Sequence, residues 1–330
     1  MAANIAESDM PYWSVNMDKV IAIIGPTAVG KTSLSFFLAE KLHTELISGD
    51  AYQIYKKMNI GTAKPTVEEL RRYTHHLIDI IDPSGTYSAA VFCRMAGQAI
   101  QQLNAKGSIP VLVGGTGLYV QSLLEGFHFD GPKSSEAMRE RARERIACST
   151  REDLAAYIRK NTDWQPVDWN ELFCNTHRLV RLLCAIEGKE GIAFVHTDKE
   201  KAPIYDAYVV GLQLPRELLY KRIDQRVDDM LANGWIAEVI SLLENGISAD
   251  CQSMKAIGYE EITAYLNHRL PFAEMAERIK IRTRHFAKRQ LTWYKRMPYI
   301  HWYEKEHYDS EEELAHSVIT DIEIYWKLKM

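Results

Sequence analysis

Cysteine is sparse and scattered. Cys93, Cys148, Cys174, Cys184 and Cys251 form no CxxC pair and are odd in number. They indicate neither a zinc site nor a disulfide framework, as expected of a chain in a reducing cytoplasm. No apolar run approaches the about 18 residues of a membrane span, so no membrane partner is expected. Internal repeats and low-complexity segments are absent too. Net basic charge is also missing, since the formal charge is −4. The whole molecule is no generic polyanion binder, and any nucleic-acid site must be a local basic patch. Met1 to Met17 has Glu7 and Asp9 and no Arg. It resembles neither a signal nor a transit peptide, and residues 1–18 are expected to form a flexible tail.

What is present starts at Val20. The apolar run Val20–Ile24 reads as a buried strand. It breaks at Gly25 and enters GPTAVGKT, Gly25 to Thr32. Leu34, Phe37, Leu38 and Leu42 then recur at helical spacing. This is G-x-x-x-x-G-K-[ST] between a strand and a helix. Its glycines let backbone N–H groups close around an anion, and the helix N-terminus adds partial positive charge. Lys31 supplies a mobile cation, and the Thr32 hydroxyl can reach a phosphate oxygen or Mg²⁺. The stretch therefore binds a polyphosphate, with a nucleotide as the first candidate.

Strand and helix signals go on alternating. Glu45–Ser48, His76–Ile81, Ile109–Val113, Tyr208–Leu214 and Tyr299–Tyr303 read as strands. The helices run from Ser88 to about Lys106, after the second glycine turn Gly114–Gly117, and from Pro215 to Ala232. Others cover Ile236–Leu243, Tyr259–Leu266, Pro271 to Tyr294 and Ser310 to Met330. That alternation predicts a parallel α/β sheet with crossover helices. Between Gly131-Pro132 and the next strand the pattern turns purely helical, with helices around Arg139–Arg145, Glu152–Lys160 and Asn175–Ile186. The expected division is a core of 19–131 and 200–330 with a helical insertion at 132–199.

Several side chains carry two readings each. Asp50, just past a strand end, is either a base near the phosphate loop or a turn and helix-cap Asp. Thr116 is a cap or a ligand. Arg222 and Arg226 share a helix face and form a phosphate clamp or a solvated face among Asp224, Asp228 and Asp229. Arg278 to Arg296 is basic with no acid inside it and has Phe286, Trp293 and Tyr294 interleaved. It suits a polyanion, or a solvated face balanced by the acids at Glu311–Glu313. Asp79 and Asp82 are candidate Mg²⁺ carboxylates.

Taken together, the blocks resemble the tRNA dimethylallyltransferases. GPTAVGKT, SGDAYQIY (Ser48–Tyr55) and IGTAKP (Ile60–Pro65) come first. DPSGTYSAAVF, IPVLVGGTGLYV, NTHRLVR, KRIDQRVDDML, AIGYEE and RQLTWYKR follow in order, to Arg296. The resemblance implies a P-loop NTPase-like sheet with an inserted helical tRNA-binding domain that clasps the anticodon arm. It implies transfer of a dimethylallyl group from dimethylallyl diphosphate to N6 of adenosine 37, beside the anticodon of tRNA. It assigns Asp50 as base, with Thr116 beside the diphosphate and the reacting base. It gives the donor to Gly25, Thr27, Ala28, Val29, Gly30, Lys31, Thr32, Arg222 and Arg226, and Mg²⁺ to Thr32. Asp50, Ala51, Tyr52, Gln53 and Thr116 would meet the flipped nucleotide. Arg139, His177, Arg178 and Arg181 would face the tRNA, as would Lys255, Ala256, Ile257, Gly258, Tyr259 and Glu260.

The chain departs from the family pattern in places. Ala51 stands where Ser is frequent, Lys255 where Gln or Arg is common, and the insertion is the least similar block. A Cys/His zinc-finger tail is lacking, so a bacterial, cytoplasmic enzyme is expected. A monomer is expected as well. Two other functions remain open: an isopentenyltransferase for free adenine nucleotides, and a P-loop RNA-binding ATPase. The basic segments argue against the first. The lack of a clear hydrolytic carboxylate argues against the second.

Overall fold

A computed structural model describes residues 17–127, 135–164, 166, 168–188 and 202–327. They fall into two compact units, one from Met1–Gly126 and Lys201–Met330, the other from Phe127–Glu200. The expected boundaries at 131–132 and 199–200, and the expected tail before residue 17, lie outside the described residues.

The first unit begins with β1 (Lys19–Ile24), α1 (Lys31–Leu42), β2 (Leu46–Ser48), α2 (Val67–Arg72) and β3 (His75–His76). It continues with α3 (Ala89–Ala105), β4 (Val111–Val113) and α4 (Gly117–Leu124). The second unit contains α5 (Glu136–Cys148), α6 (Arg151–Asn161), α7 (Trp169–Cys174) and α8 (Thr176–Glu187). The first unit resumes with β5 (Asp206–Gln213), α9 (Arg216–Ala232), α10 (Trp235–Glu244), α11 (Tyr259–Leu266) and α12 (Phe272–Tyr294). β6 (Ile300–Glu304) and α13 (Glu311–Trp326) close it.

The strands form one parallel sheet in the order β3-β2-β4-β1-β5-β6. β1 is central, with Ile21 opposite Val111 on one side and Tyr208 on the other. A parallel strand covered on both faces needs a continuous apolar run, and Val20 to Ile24 are fully buried. α1 and α13 seal one face through Leu34, Leu38, Leu314, Val318 and Ile322. The carboxyl ends of β1, β2 and β4 thus lie side by side, each opening into a glycine-bearing loop.

The expected strand His76–Ile81 is corrected to the two-residue β3. Leu77 and Asp79 take φ of 64° and 56°, a left-handed conformation that a β ladder cannot hold. Local bonds tie the segment down instead, with Lys56 N–H donating to Ile81 O at 2.8 Å and Ile80 N–H to Ile54 O at 2.9 Å. α2 and α7 were not expected. Each starts at a polar cap, Thr66 with Glu69 in a capping box and Asp168 bonding Asn170 N–H. The last helix ends at Trp326, where Lys327 turns left-handed.

The second unit has its own core, formed by Leu154, Ile158, Leu172, Leu179, Leu182 and Leu183. α5 buries only Ala142 fully, and its Met138 and Ile146 pack half-buried against the same core. Its charges pair locally, with Arg143 near Glu136 and Glu140, while Arg141 reaches Glu187 on α8.

One glycine is held by both backbone and space. Gly258 has φ of 92°, and the indole of Trp235 occupies the place of a Cβ. Gly258→Ala is expected to lower stability by at least about 2 kcal/mol, a left-handed term plus overpacking. Gly246→Ala, at φ of 82° with nothing within 4 Å of a Cβ, serves as the control. It should show the backbone term alone, about 1 kcal/mol. Equal shifts in denaturant midpoint for the two variants would remove the packing part.

Candidate active site

The phosphate loop joins β1 to α1. Gly25 and Gly30 take φ of 147° and 103°, and Ala28 takes 64°. A Cβ on Gly25 would stand 2.6 Å from Leu212 O of β5. α1 has no side-chain cap and no acid in its first turn. Its first N–H groups therefore lack intrahelical partners and face outward with the dipole behind them. Lys31 Nζ folds back onto Pro26 O at 2.8 Å and Gly25 O at 3.0 Å. Burial, then the nearby Arg226 cation, lowers the Lys31 ammonium to about 7, while Asp50 opposes the shift. The loop is a partly buried cationic site, and an anion would relieve it.

Asp50 follows β2. Its Oδ1 accepts from Tyr52 N–H at 2.8 Å and Gln53 N–H at 3.3 Å. The turn-Asp reading is realised for that oxygen. No described donor is bonded to Oδ2, which leaves it to face a ligand. Thr116 sits at the start of α4 but makes no side-chain cap bond. Its hydroxyl accepts Ala51 N–H at 3.1 Å instead, and an accepting hydroxyl still has its own proton to give. Asp50 and Thr116 are therefore linked through residue 51. Gln53 completes this wall. Its Oε1 accepts Ser48 Oγ–H at 3.0 Å, and its Nε2 donates to Thr62 O and Ala63 O.

Two cavities meet here. One, of about 340 Å³, is polar and lined by the phosphate loop, Lys31, Thr32, Ser48, Arg222 and Gln290. The other, of about 380 Å³, is lined by Ile223, Val227, Met230, Trp235, Ile257 and Thr116. Thr27, Asp50, Thr62, Ala63, Arg226 and Phe286 line both. Burial lowers the Arg226 guanidinium, and Asp50 counters that. Arg226 thus sits at the junction, while Arg222, one turn earlier on α9, is exposed and reaches only the polar side.

The remaining expected residues divide by place. Val29 is buried beneath the loop. Ala51, Tyr52, Lys255, Ala256 and Ile257 line the apolar cavity. Gly258 and Tyr259 are buried behind it, with Tyr259 Oη donating to Glu238 at 2.6 Å. Glu260 pairs with Arg282 at 2.6 Å. Arg139, His177, Arg178 and Arg181 belong to the second unit, on α5 and α8. Arg139 lies 3.5 Å from Glu136, and Arg178 lies 3.9 Å from Glu171.

The basic helix α12 differs from expectation. Its first half is neutralised by acids of its own first turns and of α9 and α11. Arg278 pairs with Glu274, Lys280 with Asp228, Arg282 with Glu260 and Glu261, and Arg284 with Asp224 and Glu277. The balancing acids are therefore not Glu311–Glu313, and Glu311 instead pairs with Lys305. In the second half, His285, Lys288 and Arg289 line a groove together with Arg296, just past the helix end, and Arg289 also lines the apolar cavity.

The candidate Mg²⁺ carboxylates are engaged elsewhere. Asp79 pairs with Lys64, and Asp82 accepts from Ser84. Among the described residues no cluster of three His, Cys, Asp or Glu could hold a metal. Thr32, Ser48 and Asp50 do place hard oxygen atoms around the polar cavity, which fits a Mg²⁺ carried mainly by phosphate and water.

Three structural residues escaped the sequence. Glu238 on α10 accepts the N–H groups of Asn59, Ile60 and Gly61, fixing the loop that separates the cavities. Trp235 walls the apolar cavity. Gln290 binds Thr27 N–H and Gly115 O. All three lie far from the loop in sequence; Trp235 and Glu238 fall outside every block above, and Gln290 lies in RQLTWYKR without a role assigned to it.

Comparisons with known proteins give the family. Residues 53–297 match the family model described as IPP transferase. A tRNA dimethylallyltransferase of Carboxydothermus hydrogenoformans is 39% identical over 308 residues, 92% of this chain and 97% of the relative. The crystal structure of the full-length tRNA isopentenylpyrophosphate transferase of Bacillus halodurans is 35% identical with a TM-score of 0.69, covering 94% of this chain and 98% of that one. A eukaryotic dimethylallyltransferase acting on tRNA is 26% identical with a TM-score of 0.73, covering 95% of this chain and 81% of that one. The chain belongs to the IPP transferase family.

Proposed function

We propose that the protein transfers a dimethylallyl group from dimethylallyl diphosphate to N6 of adenosine 37, next to the anticodon of tRNA. The observation that carries this reading is the junction of the two cavities at Asp50 and Arg226. A cationic phosphate site and an apolar site share one wall, and relatives are named tRNA dimethylallyltransferase.

In this reading the diphosphate sits on the phosphate loop. Breaking the allylic C–O bond loads negative charge onto it, and the α1 N-terminus, Lys31, Arg226 and Arg222 hold that charge as it grows. Mg²⁺ held by Thr32 and the diphosphate would neutralise part of the leaving group's charge. The adenine amine attacks from the apolar side. Asp50 Oδ2 takes its proton, and the Thr116 hydroxyl positions the base. The adenosine has to leave its stack to get there, which an anticodon loop makes easier. Arg289 and the groove beside it suit the flanking phosphates, and the helical insertion would hold the anticodon arm. The enzyme acts in the cytoplasm, as a monomer. Among the described residues, no helix is long and apolar enough to cross a membrane.

The test is incubation with dimethylallyl diphosphate, Mg²⁺ and unmodified tRNA, followed by nucleoside mass spectrometry. N6-dimethylallyl adenosine is expected in tRNA, with AMP a far poorer acceptor. Transfer to AMP at the same efficiency would reassign the substrate. ATP hydrolysis stimulated by RNA, with no prenyl product, would overturn the reading.

A further inference from the structure

We propose that Gln290 is a positioning residue that sets the distance between the donor site and the acceptor site. This rests on the proposed transfer reaction. Gln290 is 5% exposed and uses both ends of its amide. Thr27 N–H of the phosphate loop donates to its Oε1 at 2.9 Å. Its Nε2 donates to Gly115 O, in the turn after β4, at 2.6 Å. One side chain from α12 thus spans the two loops that open from β1 and β4.

The acceptor side follows from that turn. A Cβ on Gly114 would collide with the backbone of Gly49, so these two loops touch main chain to main chain. Gly49 N–H also donates to Val113 O at 2.8 Å. Asp50 is the next residue. A shift of the Gly114–Gly115 turn therefore carries Asp50 and Thr116 with it, while the diphosphate stays on the phosphate loop. Tyr294, one turn beyond Gln290 on α12, donates to Gly114 O at 3.5 Å and holds the same turn from the same helix.

The geometry makes a distinctive kinetic prediction. Gln290 contributes through alignment, so its loss should slow the transfer step more than it weakens binding. A misplacement of about 1 Å can lower a rate about 100-fold. Gln290→Met keeps the volume and removes both bonds. Gln290→Glu keeps an acceptor for Thr27 N–H and cannot donate to Gly115 O. Both are expected to lower kcat by about 30- to 100-fold, with KM for tRNA and for donor within about threefold of wild type. Misaligned donor should also meet water, so diphosphate released per prenyl group transferred should rise above one.

A purely structural role would lower the melting temperature and the folded fraction while leaving the ratio at one and kcat per folded molecule unchanged. That result overturns the inference, as does a rise in KM alone. Hydrogen exchange on the wild-type enzyme tests the bridge without any substitution. Protection of the Thr27 amide before donor is added supports it, and exchange at the rate of an open loop overturns it. Wild-type enzyme that makes no prenylated tRNA would instead sink the proposed function. Normal wild-type transfer with unaltered Gln290 variants would sink this inference alone.

Discussion

Asp50→Asn is expected to lower the rate of prenyl transfer by about 1,000-fold, within the range for loss of a general base, while tRNA binding and melting temperature stay near wild type. The two carboxylate oxygens have separate duties. Oδ1 holds the turn by accepting Tyr52 N–H and Gln53 N–H. The asparagine carbonyl can accept the same two bonds, so the turn survives. Oδ2 is the oxygen that would take the N6 proton, and the amide that replaces it is no base. Asp50→Ala removes both functions. It should lose as much rate and in addition about 1 kcal/mol of stability, the size of a lost turn bond. The pair therefore separates base from turn, the two readings that sequence position leaves open. Single-turnover transfer with saturating donor checks it. An Asn variant within about tenfold of wild type would mean that Asp50 is the turn residue only and that the proton leaves by another route.

How much of this was legible in the chain depends on contiguity. The β1–loop–α1 unit is continuous in sequence, and each of its parts has a local signature, so its conformation follows from Lys19 to Leu42 alone. The segment His76–Ile81 misled for the opposite reason. Its apolar pattern fits a strand, but Lys64 captures Asp79 from outside the segment, and Leu77 and Asp79 turn left-handed. Periodicity carries no information on such a partner. The basic run of α12 misled in a similar way. Within its own stretch it has no acid, yet Asp224, Asp228, Glu260 and Glu261 reach it from neighbouring helices. What stays available for a polyanion is its second half. Gln290 and Glu238 are the hardest case. They act through backbone groups of distant loops, and backbone groups leave no trace in a side-chain sequence.

Lys31→Ala is expected to pull two measurements in opposite directions. Transfer efficiency for the donor, kcat/KM, should fall by about 100- to 1,000-fold, the scale for removing one preorganised group at a leaving-group charge. The melting temperature of the ligand-free protein should not fall and should rise slightly. Burial and the neighbouring Arg226 both disfavour the Lys31 ammonium. The charge on Lys31 is therefore disfavoured in the folded, ligand-free protein, in keeping with a site kept strained for function. Its only described partners there are two carbonyls of its own loop, Gly25 O and Pro26 O. Both residues are buried, so losing this donor limits that rise. Diphosphate reverses the balance, adding to the negative charge that Asp50 alone brings to Lys31 and Arg226. Wild type should thus gain more thermal stability from added diphosphate than Lys31→Ala does, and that difference, read by thermal melts with and without the ligand, checks the assignment directly. An alanine variant that melts well below wild type, yet gains as much from diphosphate, would place Lys31 in the fold of the loop rather than in the grip on the leaving group.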